Sequence, residues 1–279
     1  MIVPAPRGAG GEAWSRALVT GASSGIGEAL AERLASSGVA VVLVGRSAAL
    51  GAVAERIARA GGEVQAVQAD LSVEEDLERV ASLVRTAVPA IDLLVNNAGV
   101  GQFGAFADLP LAGAIETIRV NDEALVRLTH AAIGPMVAAG HGCVIHVSST
   151  AALNPGPSQA VYSASKAFVS SFGRALSQEL TGTGVTCTTV LPGYTRTRYF
   201  ERVGLSPNIP EAHWMSADQV AALTIDAARA GQRFVIIRHT RGWELALSRR
   251  FPALVADPIS SHVRRMGRVV QRARQRILH

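Results

Sequence analysis

The sequence predicts a single doubly wound α/β domain, a parallel sheet of seven strands with helices on both faces, followed by a basic C-terminal extension. Three observations predict it. Seven short apolar runs recur along residues 1–237, and the stretches between them repeat apolar residues every three or four positions. No low-complexity linker, and no repeat beyond this alternation, divides the run. Strands that are apolar almost throughout are those buried on both faces, as in a parallel sheet covered by helices.

In chain order, a Pro/Gly-rich leader (residues 1–14) is expected to be flexible, and the domain is expected to span 15–237. The strand candidates are RALVT (16–20), AVVLV (40–44), EVQAVQ (63–68), DLLVN (92–96), CVIHVS (143–148), VTCTTV (185–190) and RFVII (233–237). Amphipathic stretches such as GEALAERLASSG and EEDLERVASLVRTA supply the helices between them. A sheet of this kind binds ligands outside the carboxyl ends of its strands, where the strand order reverses.

Composition narrows the function classes. With 48% hydrophobic and 18% charged residues the chain can bury a substantial core and is neither disordered nor fibrous. Cys143 and Cys187 lie in apolar strand runs and match no metal or redox spacing. They read as reduced core residues, with a disulfide as the alternative. His130, His141 and His146 share no ligand spacing either, so no metal is expected. The leader lacks a signal-peptide pattern and no uncharged stretch is long enough to span a bilayer, so a soluble, cytoplasmic protein is expected.

The net charge of +5 is unevenly placed. Residues 238–279 carry ten arginines against Glu244 and Asp257, a local +8 that leaves residues 1–237 at −3. An acidic main domain without a reading module argues against nucleic acid. In the tail, Val263, Met266, Val270, Ala273 and Ile277 recur at helical spacing, with Arg264, Arg265, Arg268, Arg272 and Arg276 mostly off that stripe. Such a helix can dock on its own domain or on a partner subunit, in a homodimer or homotetramer. Peripheral contact with the inner face of a membrane is the alternative.

The first strand runs directly into TGASSGIG (20–27) and then a helix. Glycines at 21, 25 and 27 permit a tight turn, close approach of a pyrophosphate and close helix packing, and the helix N-terminus offers amides to phosphate. Ser23, Ser24 and Ile26 complete this candidate dinucleotide-binding turn. An NAD site wants a carboxylate at the end of the second strand, whereas an NADP site wants a cation for the 2′-phosphate. The chain has Gly45 and Arg46 there, so NADP(H) is favoured over NAD(H), although Ser24 offers no second cation in the turn.

Lys166, in YSASK (162–166), is the only lysine among 27 Lys and Arg positions. It marks a place where a compact ammonium is wanted and a planar guanidinium is not. Helical spacing puts Tyr162 and Lys166 on one face. A nearby ammonium is expected to lower the phenol pKa and so fit it for acid–base work.

With TGASSGIG, NNAG (96–99), Ser149 and YSASK in this order, the sequence resembles the short-chain dehydrogenase/reductase family over roughly residues 16–237. The resemblance implies a Rossmann-type fold and an oxidoreductase with Asn121, Ser149, Tyr162 and Lys166 as its catalytic set. Ser149 precedes the tyrosine by the family's thirteen residues, which selects it over Ser148. It would bond the substrate oxygen, Tyr162 would give or take the proton, and Asn121 would hold a helix irregularity. By the same resemblance Asp70 and Leu71 lie near the adenine, and Asn97, Ala98 and Gly99 brace the cofactor, Asn97 mostly as structure. Pro192, Gly193, Thr195 and Thr197 lie beside the nicotinamide, and Tyr162 and Lys166 also touch the cofactor.

Phe103, Phe106, Leu153, Tyr194, Tyr199 and Phe200, with Trp214 and Met215, suggest a largely apolar substrate pocket with a mobile lid. The expected substrate is a lipophilic ketone, aldehyde or secondary alcohol. Two alternatives stand beside this reading. One is a ketoacyl reductase of carrier-bound chains, with Arg196, Arg198 and Arg202 as a docking patch. The other is a non-catalytic NADP-binding sensor or scaffold, against which the intact Asn, Ser, Tyr, Lys set argues.

Overall fold

The computed structural model describes residues 14–204 and 209–238. The expected leader, up to residue 13, and the basic extension, from residue 239, lie outside the described residues. The chain alternates strand and helix from the start: β1 (Arg16–Thr20), α1 (Gly25–Ser36), β2 (Ala40–Gly45), α2 (Ala49–Arg59), β3 (Val64–Gln68), α3 (Glu74–Thr86) and β4 (Leu93–Asn96). Then come α4 (Leu111–Ile118), α5 (Ala124–Ala139), β5 (Gly142–Val147), α6 (Ala160–Glu179) and β6 (Val185–Pro192). The last part holds β7 (Thr195–Arg196), α7 (Tyr199–Arg202), β8 (Met215–Ser216), α8 (Ala217–Arg229) and β9 (Phe234–Ile237).

Seven strands form one sheet in the order β3-β2-β1-β4-β5-β6-β9, every neighbouring pair parallel. The chain moves outward from β1 to β3 and then returns to the other side of β1 with β4. The order therefore reverses between β1 and β4, and a crevice opens at their carboxyl ends.

The pleat divides the core into two layers. Ala17 and Val19 of β1 face Leu30 and Leu34 of α1, Val53 of α2 and Val220 of α8. Leu18 faces the other side, with Leu77 and Val80 of α3, Leu128 of α5 and Leu176 of α6. This double burial is why β1, β2, β4 and β5 read as unbroken apolar runs. The edge strand β3 is the exception, with Gln65 and Gln68 exposed.

The seven expected strands are all present, with ends displaced by no more than two residues. Periodicity did not anticipate the separate two-stranded parallel sheet of β7 and β8, in which Thr195 pairs Met215. Met215, expected in the pocket wall, is instead 7% exposed and packs in the core layer of α8. Cys143 and Cys187 are free, and they sit in opposite core layers. Burial pushes the Cys143 thiol up to about 12. No helix among the described residues is long and apolar enough to cross a membrane.

Helix α6 carries Tyr162 and Lys166, and it approaches the sheet at Gly173. A Cβ there would overlap Thr189 Oγ1 and stand 3.0 Å from His146 Cδ2. Gly173→Ala is expected to cost about 1–3 kcal/mol through overpacking, lowering the urea midpoint, and Thr189→Ala in the same chain should recover part of it. An unchanged midpoint in Gly173→Ala would contradict this packing.

Candidate active site

At the end of β1 the chain turns through Gly21 and Gly25, with φ of 65° and 64°, a conformation that glycine adopts without steric cost. A Cβ on Gly27 would overlap the Gly21 carbonyl oxygen, so α1 begins hard against the strand end. Ser24 stands at the N-cap of α1 but makes no side-chain cap. The first-turn amides, which have no partner within the helix, are thus left by the capping side chain for an anion. Ser24 Oγ accepts instead from Arg202 Nη2 at 2.8 Å, and a Cβ on Gly25 would meet Thr197 at 2.9 Å. Ser23 approaches the end of β2 at Gly45.

The NNAG segment is stapled to this turn. Thr20 Oγ1 accepts from the amides of Asn97 and Ala98, each at 3.0 Å, and Asn97 Nδ2 donates to the Thr20 carbonyl at 2.9 Å. Asn97 thus ties NNAG to the glycine turn, and Thr20 is a contributor that motif reading passed over. A Cβ on Gly99 would lie 3.2 Å from Lys166 Nζ. On the other flank, Pro192 ends β6, and Thr195 is buried with its hydroxyl donating to the Gly193 carbonyl at 3.0 Å.

Arg46 follows β2 but does not stand alone. Its Nη1 bonds Glu116 Oε1 of α4 at 2.7 Å and lies 3.4 Å from Asp70 Oδ2. The Glu116 hydrogen bond holds the guanidinium firmly charged. Burial pushes the Asp70 carboxyl up, but bonds from Ser72 and the charge of Arg46 outweigh it, so it titrates below its ordinary value. Leu71 beside it is buried.

The central group sits at the carboxyl ends of β4 and β5. Residues Arg119–Glu123 form a π-turn between α4 and α5, an irregularity frequent at functional sites. It brings in Asn121, whose Oδ1 accepts from Val100 N at 2.9 Å and whose Nδ2 donates to Val100 O at 3.0 Å and Ser165 Oγ at 2.9 Å. Ser148 and Ser149 diverge as the pleat requires. Ser148 Oγ bonds the Lys166 carbonyl at 2.7 Å and Ser170 at 2.8 Å. Ser149, half-buried, accepts from Ala151 N at 3.2 Å and stands near enough to the Tyr162 hydroxyl to pull its pKa down.

Lys166 is 5% exposed, and its Nζ donates to the Val147 carbonyl at 3.0 Å. The ammonium lies 6.0 Å from the centroid of the Tyr162 ring. Burial lowers its pKa to about 8, with Asp122 acting the other way. Asp122 is pushed up to about 6 by its own burial, against the pull of Lys166. The expected lowering of the phenol does not occur here. Burial raises the Tyr162 pKa, and hydrogen bonds with Ser149 and Tyr199 only partly offset it. The reason is burial of the ring, which outweighs those bonds.

Of the expected pocket residues, Tyr199 lies tilted against Tyr162 at 5.2 Å between centroids and meets Phe200 edge-on at 5.5 Å. Phe200, Tyr194 and Trp214 continue an aromatic cluster, with centroids 5.3–6.3 Å apart. Phe103 is half-buried, whereas Phe106 and Leu153 are 62% and 50% exposed. Gly101 was missed by motif reading. A Cβ there would lie 2.8 Å from the Tyr162 ring and 3.0 Å from the Tyr199 hydroxyl. No group of three or more His, Cys, Asp or Glu side chains that could hold a metal occurs among the described residues.

A dinucleotide-type parallel sheet whose crevice gathers Asn, Ser, Tyr and Lys around one phenol defines an oxidoreductase class. The chain belongs to the short chain dehydrogenase family, whose model matches residues 15–206. It is 35% identical over 230 residues to a 3-oxoacyl-[acyl-carrier-protein] reductase of Synechocystis, covering 78% of this chain and 93% of that one. Among solved structures it is similar to a short-chain dehydrogenase from Sphingobium yanoikuyae in complex with NADPH. That match has TM-score 0.76 and 33% identity, over 87% of this chain and 96% of the other. It is also similar to a bulky-bulky ketone specific alcohol dehydrogenase from Comamonas testosteroni, with TM-score 0.74 and 28% identity, over 87% and 94% of the two chains.

Because Lys166 is the only lysine, one 13Cε-lysine resonance reports its titration without assignment. The midpoint in the protein alone is expected near 8, below the ordinary 10.5. Between these values the unfolded chain binds the extra proton, so stability falls as pH falls from 10.5 toward 8. Asp122→Asn should move the midpoint lower still. A midpoint at or above 10.5 would contradict the burial argument.

Proposed function

We propose that this chain is an NADP(H)-dependent oxidoreductase that moves a hydride between nicotinamide and a lipophilic ketone, aldehyde or secondary alcohol, with Tyr162 as the acid–base group. The observation that carries the proposal is the buried Tyr162 hydroxyl, set beside Ser149, flanked by Tyr199 and one helical turn from a buried lysine. The donor set fits a dinucleotide. The uncapped first turn of α1 suits the pyrophosphate, Asp70 and Leu71 the adenine, and Gly99, Pro192, Gly193, Thr195 and Thr197 the nicotinamide end. The absence of a carboxylate at the end of β2, with Arg46 in its place, favours the 2′-phosphate of NADP(H) over NAD(H). The similarity to a dehydrogenase solved with NADPH supports this preference.

When bound, the nicotinamide supplies or accepts the hydride. The chain does the rest. Ser149 holds the substrate oxygen and stabilises the charge that develops on it. In reduction Tyr162 gives its proton to that oxygen as the carbon receives the hydride, so C=O becomes CH–OH, and oxidation reverses both transfers. The Lys166 ammonium stabilises the phenolate left behind, and Asn121 keeps the π-turn and the Val100 backbone in register behind it. The aromatic wall of Tyr194, Tyr199, Phe200 and Trp214 suits a bulky apolar substrate, as does the similarity to a bulky-ketone alcohol dehydrogenase.

Exposed Leu111, Ile115 and Ile118 of α4 and Phe168 of α6 support a homodimer or homotetramer, and a cytoplasmic location goes with this reading. A ketoacyl reductase of carrier-bound chains is the second reading, favoured by the Synechocystis relative. The arginines that would dock a carrier are partly committed, Arg196 to Glu211 and Trp214 and Arg198 to Glu201.

Loss of reduced-nicotinamide absorbance over a panel of bulky ketones, aldehydes and carrier-bound ketoacyl chains tests the proposal and separates the two readings. Turnover of a free ketone is expected, and turnover of carrier-bound chains alone would replace the first reading by the second. Tyr162→Phe should lower turnover by about 10²-fold or more while leaving NADPH affinity within about twofold. Retained activity would remove Tyr162 as the proton donor. Arg46→Ala should weaken NADPH binding far more than NADH binding, and equal losses would remove the cofactor argument.

A further inference from the structure

One turn of helix, α7, bridges the two ends of the site. Its first residue, Tyr199, lies against Tyr162. Its last, Arg202, donates to Ser24 Oγ at 2.8 Å, joining the segment after β6 to the glycine turn across 178 residues of sequence. Unlike Arg46, Arg196 and Arg198, Arg202 has no ion-paired carboxylate among the described residues. Its neighbours are themselves cations. Burial, Arg198 and Arg46 all pull its pKa down, with Glu201 opposing.

A guanidinium without a carboxylate partner, held on Ser24 Oγ beside the uncapped N-terminus of α1, makes a place for an anion. Ser24 is the position in the turn where a second cation for the cofactor phosphate is missing from the local sequence. Arg202 brings a cation to that place from another element.

We propose that Arg202 is a second ligand, with Arg46, for the adenosine 2′-phosphate of NADP(H), and that this contact locks α7, and with it Tyr199, over the acid–base tyrosine. The inference rests on the NADP(H) reading above. It makes the 2′-phosphate a signal as well as a handle. NADP(H) fastens the substrate-side segment to the glycine turn, and NAD(H), lacking the phosphate, leaves that fastening to the single bond with Ser24.

The test uses the full chain as wild type, Arg202→Ala, Arg202→Lys and Arg46→Ala, each first checked for an unchanged thermal transition. Dissociation constants for NADPH and NADH are measured by titration, and hydrogen–deuterium exchange is followed at residues 199–202 with and without each cofactor. The wild type should prefer NADPH, and Arg202→Ala should weaken NADPH about tenfold but NADH less than twofold, with Arg202→Lys between. NADPH should slow exchange at 199–202 in the wild type but not in Arg202→Ala, and NADH should slow it in neither. Wild-type NADPH affinity in Arg202→Ala, with loss in Arg46→Ala, would overturn the role of Arg202 and leave the NADP(H) reading standing. Equal wild-type affinity for the two cofactors would overturn both.

Discussion

The site depends on one costly placement, the ammonium of Lys166 taken out of water and set against the carbonyl of Val147. A buried cation must be paired or hydrogen-bonded, or it neutralises. Here one carbonyl bond and the charge of Asp122 hold it, and its pKa still drops to about 8. Much of the neighbourhood follows from that placement. Gly99 cannot carry a side chain without pressing on Nζ, and the lysine carbonyl is tied to Ser148 beneath it. A flexible stem with a point charge fits this slot, which accounts for the one lysine in a chain that otherwise uses arginine.

The frame around that ammonium is built from backbone geometry more than from side-chain chemistry. Parallel pairing of β1 with β4 sets the glycine turn beside NNAG, and Thr20 and Asn97 lock the two together. The pleat sends Ser148 inward to α6 and leaves Ser149 for Tyr162. A π-turn is what lets Asn121 reach both Val100 and Ser165. Each device is local and rigid, whereas the aromatic wall comes from the short elements between β6 and α8, where closure and specificity can vary.

Much of this was legible in the sequence for a physical reason. Strands buried on both faces are apolar almost throughout, so the seven runs announced a covered parallel sheet, and motif spacing then marked Ser149, Tyr162 and Lys166. The rest depended on partners distant in the chain. Glu116 joins Arg46 across 70 residues and Arg202 joins Ser24 across 178, and neither pairing leaves a local pattern. Strands of two residues, such as β7 and β8, are too short to carry a period. Apolar identity alone did not say that Met215 packs in the core while Leu153 is exposed. The helical spacing of Tyr162 and Lys166 said nothing of the Val147 carbonyl that holds the ammonium, or of the burial that leaves the phenol above its ordinary pKa.

The reaction proposed for this crevice is hydride transfer to a carbonyl carbon while Tyr162 supplies the proton. The most direct measurement is to incubate the protein with NADPH deuterated at the transferring carbon and a bulky apolar ketone, then determine the mass and label position of the alcohol formed. One deuterium is expected, at the carbinol carbon, with the hydroxyl proton drawn from solvent by way of Tyr162. Bound cofactor with no labelled alcohol from any ketone or carrier-bound ketoacyl substrate would contradict it, and would make the site a nucleotide sensor instead of a catalyst.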